Sequence, residues 1–166
     1  MLLDEFYDYK NQLMEDILTT EPIVKLLCED SDYVMPAVDL AYKQVFPYEY
    51  IPETIEHGQT FICFDVDIQK AASQTYLLPV IYVWIFAHKS RLRLPEGGVR
   101  TDMLAAELAK KLNGSRMYGL GTLDFYSSKR FAPIADYQGK VLTFHAVDFN
   151  TPRPTGQRVP SNRKTG

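Results

Sequence analysis

The spacing of hydrophobic positions changes several times along this 166-residue chain, and each change predicts a different element. Residues 1–18 carry an apolar residue every three or four positions, which predicts an amphipathic helix. A second helix is predicted over residues 20–30, because a glutamate and a proline at its start suit a first helical turn. Residues 31–58 are predicted to be irregular, with a short helical turn near Ala37–Lys43. The apolar stripe of the first helix consists of Phe6, Tyr9, Leu13 and Ile17.

Two strands with different patterns follow. Residues 60–68 alternate between apolar and polar positions, so one face is predicted to be buried and the other, with Asp65 and Asp67, at least half exposed to water. Thr75–His88 is apolar on both faces, as in a strand at the middle of a sheet. Pro79 indicates that the start of this strand has no partner on its N–H side. Its apolar run is shorter than the roughly 20 residues that a membrane helix needs.

The second half of the chain predicts a helix between strands. Lys89–Gly98 is a basic loop, and Thr101–Leu112 shows the clearest helical stripe, followed by an Asn-Gly pair that suits a helix end. Met117–Phe131 and Lys140–Phe149 are predicted strands, joined by a turn near Tyr137–Gly139.

These elements predict an α+β fold with a mostly antiparallel sheet, in the order β-β-α-β-β, flanked by helices. Residues 1–150 are predicted to form a single domain, with N-terminal helices in residues 1–30 and the sheet and helix core in residues 60–149. Residues 151–166 form a basic, proline-rich tail with four basic side chains and no acid. Such a segment is either disordered or an extended arm that orders against a partner.

The net charge of −3 conceals a division along the chain. Residues 1–67 carry 15 acids and 3 bases, whereas residues 68–166 carry 6 acids and 15 bases. One interpretation is that the fold neutralises this asymmetry internally. The other is that an acidic surface of one copy meets a basic surface of the next, a contact that generates a ring when the rotation closes.

Candidate catalytic and metal-binding residues are few. Asp65 and Asp67 are spaced so that both carboxylates can hold Mg²⁺ or Mn²⁺, but the sequence identifies no third ligand. An exposed strand face, or one that meets a lumen or partner, is the favoured interpretation. His57, His88 and His145 lack metal-ligand spacing and are interpreted as structural or surface residues, although His88 and His145 can approach each other in space.

The remaining motifs do not form a site either. Ser127–Ser128 lacks an assignable base. Gly119 and Gly121 resemble half of a nucleotide-binding fingerprint, but they precede a strand where the fingerprint requires a helix. Cys28 and Cys63 are not predicted to form a disulfide, and Cys63, in an apolar strand, is interpreted as a small core residue. No catalytic, cofactor-binding or metal-binding residue is therefore assigned, and the protein is not predicted to be an enzyme; a metal-dependent enzyme that uses Asp65 and Asp67 is the alternative from another class.

A group of basic residues is compatible with nucleic-acid binding or with an acidic neighbouring subunit. Their scatter and an isoelectric point near 5.6 argue against specific DNA binding. The N-terminal segment MLLDEFYDYK carries acids where a signal peptide has a basic region, which argues against secretion. The basic residues are Lys89, Arg91, Arg93, Arg100, Arg116, Lys129 and Arg130.

In the order and the local sequence of five segments, the chain resembles the neck and tail-terminator proteins of tailed bacteriophages, especially phages of Gram-positive hosts. The segments are TFICFDVDI, VIYVWIFAHKS, GVRTDMLAAELAKKLNGS, YGLGTLDF with RFAPI, and GKVLTFHAVDF, within Pro22–Asn150. The resemblance implies a virion structural protein that caps the tail tube as a homo-oligomeric ring, which in this family is usually a hexamer. It implies no cofactor and no invariant active site.

The same resemblance implies the partners and location. These are the tail tube protein, head-closure or adaptor proteins, and genomic DNA that passes through the lumen without sequence-specific binding. The expected location is the tail or neck of the virion, and the host cytoplasm during assembly, with no membrane partner. A head-closure or adaptor protein at the same junction is the alternative within this class.

Overall fold

A computed structural model describes residues 5–29, 32–52, 58–70, 77–116 and 122–146. Within these residues the chain forms three helices and a five-stranded sheet, which confirms the predicted α+β class. The helices are α1 (Glu5–Thr19), α2 (Glu21–Cys28) and α3 (Arg100–Leu112). The strands are β1 (Val45–Phe46), β2 (Thr60–Lys70), β3 (Leu77–His88), β4 (Leu123–Phe131) and β5 (Tyr137–Ala146).

The sheet has the strand order β1-β2-β3-β5-β4, and all neighbours are antiparallel except the β1–β2 pair. The apolar strand β3 lies between β2 and β5, as its pattern predicted. Its ladder with β5 begins at Val80, which faces His145, whereas Pro79 pairs with Ile68 of β2. In the described part of the chain, Pro79 therefore has a neighbour on one side, in agreement with the prediction.

All three helices contribute to a core on one face of the sheet. The stripes predicted for α1 and α3 are buried there, and Leu13, Ile17 and Leu104 are at most 2% exposed. They pack on the alternating apolar residues of the central strands, including Phe64 and Phe144. Burial of one such side chain contributes about 1.5–3 kcal/mol, so this layer supplies most of the driving force for folding.

The opposite face is buried at one end by an aromatic cluster. Phe46 stacks on Tyr50 with 4.0 Å between ring centroids, and Phe61 stacks on Phe86 at 5.4 Å. The expectation that this face of β2 is half exposed therefore holds only for the second half of the strand. The cluster consists of Phe46, Phe61, Cys63, Phe86 and Tyr137, with Tyr50, Trp84, Phe131 and Ile134 packed against it.

The turn predicted near Tyr137–Gly139 is wrong, because these residues begin β5. The chain reverses over residues 132–136, where Asp136 has a φ of 71° and its carboxylate forms an ion pair with the Lys89 ammonium at 2.7 Å. Gly139 faces Phe86 in the ladder and is needed for close approach: a Cβ there would overlap the Ile85 carbonyl oxygen. A glycine that suggests a turn in sequence thus serves strand packing.

Other boundaries differ less. The predicted helical turn near residues 37–43 is a 3₁₀ turn at Val38–Leu40, and the two-residue strand β1 was not predicted. Several predictions lie outside the described residues: His57, Gly119, Gly121, the last residues of the predicted strand Lys140–Phe149 and the tail 151–166. In the described segments, no helix is both long and apolar enough to cross a membrane.

The two cysteines form no disulfide and differ in exposure, which makes their reactivity testable. Burial raises the pKa of both thiols, that of Cys63 to about 12, but Cys28 is partly exposed and Cys63 is fully buried. At pH 8 a pKa near 12 leaves about one thiolate in ten thousand. We expect a thiol reagent to modify Cys28 in the native protein and Cys63 only in denaturant. The variant Cys28→Ala is the control and should show no fast native phase; a fast phase that survives this change would contradict the prediction.

Candidate interaction surface

Aromatic rings lie on the sheet face opposite the helices, in the part that the aromatic cluster does not cover. Tyr82 stacks on Trp84 at 5.8 Å with an interplanar angle of 19°, and Tyr126 stacks on His145 at 4.1 Å with an angle of 15°. Tyr126 is 66% exposed, and the other three rings are half-buried. These four residues, Tyr82, Trp84, Tyr126 and His145, are called the aromatic strip below.

A β-bulge places Tyr126 in this strip. The register between β4 and β5 shifts between Phe125 and Ser127, so Tyr126 is the extra residue. Phe125 turns to the helix side, where it meets Phe144 edge to face at 5.7 Å. Bulges re-aim side chains in this way, and here the bulge brings a tyrosine ring onto His145.

Two exposed aspartates flank the strip at one end of the sheet. In the ladder, Asp67 of β2 faces Val80, and Asp124 of β4 faces His145. Three strand spacings separate the two acids, or about 14 Å. Val80 is buried between them. The strip is therefore an aromatic surface with carboxylates on both sides, at the end where β5 finishes.

Strand β4 forms one edge of the sheet in the described part of the chain. Six of its nine residues are exposed and two are half-buried, and the regular part of the strand after the bulge contains Lys129 and Arg130. An edge strand presents unpaired N–H and C=O groups to any neighbour, and lysine on such an edge limits indiscriminate pairing. Apart from Asp124 near its start, the charged residues of β4 are basic.

The opposite edge is protected by α1. Lys10 Nζ lies 2.5 Å from a carboxylate oxygen of Asp65 and donates to the Pro47 carbonyl at 3.0 Å. The same Asp65 oxygen accepts the Val66 N–H at 2.8 Å. These contacts occupy backbone and side-chain groups where β2 extends beyond the short strand β1. This edge therefore offers charged side chains to a neighbour more readily than free strand backbone.

The division of charge along the chain becomes a division across the sheet. Strands β1 and β2 and helix α1 come from the acidic first part of the sequence, and β5 and β4 come from the basic second part. One edge therefore carries exposed acids and the other exposed bases. The exposed acids of α1, of β2 and of the segment after β1 include Asp8, Glu15, Glu49 and Asp67.

The two candidate metal ligands lie on the same face of β2, as predicted. Asp65 is paired with the Lys10 ammonium, and Asp67 points to solvent. Among the residues that the structure describes, no group of three or more His, Cys, Asp or Glu side chains has a geometry that would hold a metal ion. The structure thus supplies no third ligand to this pair within the described ranges.

The histidines do not meet, and this corrects the expectation that His88 and His145 can approach each other. They lie at opposite ends of the β3–β5 ladder, where His88 faces Tyr137 and His145 faces Val80. The His88 Nδ1 lies 2.7 Å from the Ser90 hydroxyl. Ser127, in the Ser127–Ser128 pair, faces Thr143 across the ladder.

The seven basic residues do not form one exposed patch. Arg100 is buried: its Nε donates to the Arg91 carbonyl at 2.8 Å and its Nη1 to the Leu26 carbonyl at 2.9 Å. The Glu29 carboxylate accepts a hydrogen bond from Arg91 Nη1 at 2.8 Å, and its other oxygen lies 4.0 Å from the Nε of Arg100. Glu29 therefore links the acidic and basic parts of the chain at one point, and Arg93, Lys129 and Arg130 remain exposed.

Sequence reasoning missed the role of Arg100, although a signal was present. A basic residue in the first turn of a helix opposes the helix dipole, which favours acids there. Such a residue suggests a specific partner that outweighs the unfavourable position. Here the partners are the two carbonyls and Glu29, which join α2, the loop after β3 and α3.

One of the comparisons with known proteins identifies a family. The YomW family model matches residues 20–146, which is most of the chain and includes α2, α3 and the whole sheet. No curated protein and no solved structure matches the chain. The family is a phage-derived one, of the SPbeta-like prophage type. Since the match spans well over half of the sequence, the chain belongs to the YomW family of phage proteins.

Proposed function

We propose that the protein is a virion structural protein, a tail terminator or neck component that caps the tail tube as a hexameric ring. It would join the tube to the head-completion complex, and phage DNA would pass through the ring without sequence-specific contacts. Membership of a phage-derived family supports this class of function. The site of action is then the tail or neck of the virion, and the host cytoplasm during assembly.

The observation that carries the proposal is the unlike character of the two sheet edges. Strand β4 presents Lys129 and Arg130 on an edge that pairs with no further strand among the described residues, whereas α1, β2 and the segment after β1 carry exposed acids on the other side. A contact between unlike patches repeats from copy to copy and closes into a ring when the rotation permits. Charge complementarity fixes the register of such a contact and speeds association.

The proposal predicts that charge reversal on either edge blocks assembly and that mixing the two variants restores it. Lys129→Glu with Arg130→Glu makes β4 acidic, and Glu49→Lys with Asp67→Lys makes the opposite edge basic. Each variant alone brings like charges together, so we expect self-association to weaken by at least about tenfold. In the mixture each reversed edge meets a complementary partner. Mass measurement by light scattering, with and without tail tubes, reads out the ring.

The matched control for the β4 variant is Lys25→Glu with Arg93→Glu. It changes the net charge by the same amount, at exposed positions away from both edges. This variant should assemble like the unmodified protein. If the wild-type protein stays monomeric and never associates with tail tubes, the ring proposal is wrong. Binding of the ring to isolated head connectors but not to tubes would favour the head-closure or adaptor role.

A further inference from the structure

We propose that residues 151–166 of the same chain bind the aromatic strip and cover this face of the sheet. The proposal does not depend on ring formation. It rests on the chemistry of the strip, the point where the described chain ends, and the charge of the segment beyond it. Residues 151–166 are called the arm below.

The composition of the arm suits an aromatic surface. Its sequence, TPRPTGQRVPSNRKTG, contains three prolines and a single large aliphatic residue, Val159. Proline-rich segments favour the extended polyproline II conformation, which loses little entropy on binding and docks on grooves lined by aromatic rings. Tyr82, Trp84 and Tyr126 provide such rings on the sheet.

The chain leaves the described fold beside the strip. Strand β5 ends at Ala146, one residue after His145, which is itself part of the strip. A polyproline II segment advances about 3.1 Å per residue, so 16 residues span about 50 Å. The strip is about 14 Å wide between β2 and β4. The arm is therefore long enough to cross it from the point where β5 ends.

Charge favours the same pairing. The arm carries Arg153, Arg158, Arg163 and Lys164 and no acid. Asp67 and Asp124 flank the strip at the end from which the arm departs, and both carboxylates are exposed. A tethered segment also has an effective concentration in the millimolar range. The arm of the same chain thus competes well against an arm from another copy.

Trp84 allows a direct test, because it is the one tryptophan in the sequence and belongs to the strip. We expect acrylamide to quench Trp84 fluorescence about twofold more strongly once the arm is released, since docking excludes solvent around the rings. In the full chain, release is produced by Arg153→Gln, Arg158→Gln, Arg163→Gln and Lys164→Gln together. A second variant, with Pro152, Pro154 and Pro160 changed to serine, tests the proline contribution.

Variants on the sheet side should match those on the arm. Asp67→Asn with Asp124→Asn removes the flanking charges and should raise quenching in the same direction. The control Lys25→Gln, Arg93→Gln, Lys110→Gln and Lys111→Gln removes four basic charges elsewhere and should leave quenching unchanged. A synthetic peptide of residues 151–166, added to the charge-neutralised arm variant, should restore protection of Trp84.

The possible outcomes distinguish binding of the arm within one chain from formation of the ring. Measurements are made at a protein concentration where light scattering gives the monomer mass, so protection there supports the same-chain arm whether or not rings form later. Protection that rises with protein concentration and parallels oligomer mass would assign the strip to the arm of a second copy and overturn the same-chain assignment. Equal quenching in the full chain and in both arm variants would overturn arm docking altogether.

Discussion

Replacement of Gly139 by alanine is expected to destabilise the folded protein by about 3 kcal/mol or more. A Cβ at this position would overlap the Ile85 carbonyl oxygen and lie 2.7 Å from the Cα of Phe86. Both obstacles belong to the backbone of the central strand β3, so no side-chain rotation relieves them. The ladder between β3 and β5 must move apart, and Tyr137 and Phe86 would lose contacts in the aromatic cluster.

Urea denaturation followed by far-UV circular dichroism measures this effect as a shift of the midpoint at constant slope. The neighbouring residue Gln138 is exposed and lies on the same strand, so Gln138→Ala is the matched control and should change stability by less than about 0.5 kcal/mol. If Gly139→Ala proves as stable as this control, the close approach of β5 to β3 is not real.

Gly139 also shows where sequence reasoning reached its limit. Glycine commonly marks turns because it tolerates positive φ, and the segment around Tyr137–Gly139 was predicted as a turn for that reason. Glycine has a second use, in which a neighbouring backbone approaches too closely for a side chain. Which use applies depends on β3, which lies about fifty residues away along the chain. Local sequence carries no information on that pairing.

The spacing of hydrophobic residues predicted the helices and strands that are buried on one face or on both faces. The stripes of α1 and α3 and the two-sided apolar pattern of β3 each determine how an element must pack, and the structure confirms them. The aromatic strip was not predicted, because it arises from residues on three strands and from a bulge. Its members become neighbours only through strand order, which hydrophobic spacing does not specify.

The two edges of the sheet connect the charge pattern with the proposed function. A chain with acids first and bases later will separate its charges in space only if the two parts occupy different sides of the fold. The strand order β1-β2-β3-β5-β4 produces that separation, because the central strand β3 divides early strands from late ones. Glu29, which binds Arg91, shows that neutralisation within the fold also occurs at a specific point. Under the proposed function, the exposed charges on the outer edges make the contacts between copies.

The second large effect is expected for Arg100→Met, which should lower the free energy of unfolding by about 3 kcal/mol. The guanidinium is 7% exposed and donates to two backbone carbonyls, those of Leu26 and Arg91. Methionine fills similar volume but donates no hydrogen bond, so both carbonyls lose a donor in a poorly solvated place. Glu29 also loses one of its two cationic neighbours.

The change Arg100→Lys separates charge from geometry. Lysine retains a positive charge near Glu29, but its ammonium lacks the planar fork that spans the Leu26 and Arg91 carbonyls. We therefore expect an intermediate loss, and Arg93→Met at an exposed loop position should change stability by less than about 0.5 kcal/mol. Urea midpoints of the three variants rank these effects. Equal stability of Arg100→Met and Arg93→Met would mean that the buried guanidinium does not join α2 to α3, because such a junction cannot lose its donors without cost.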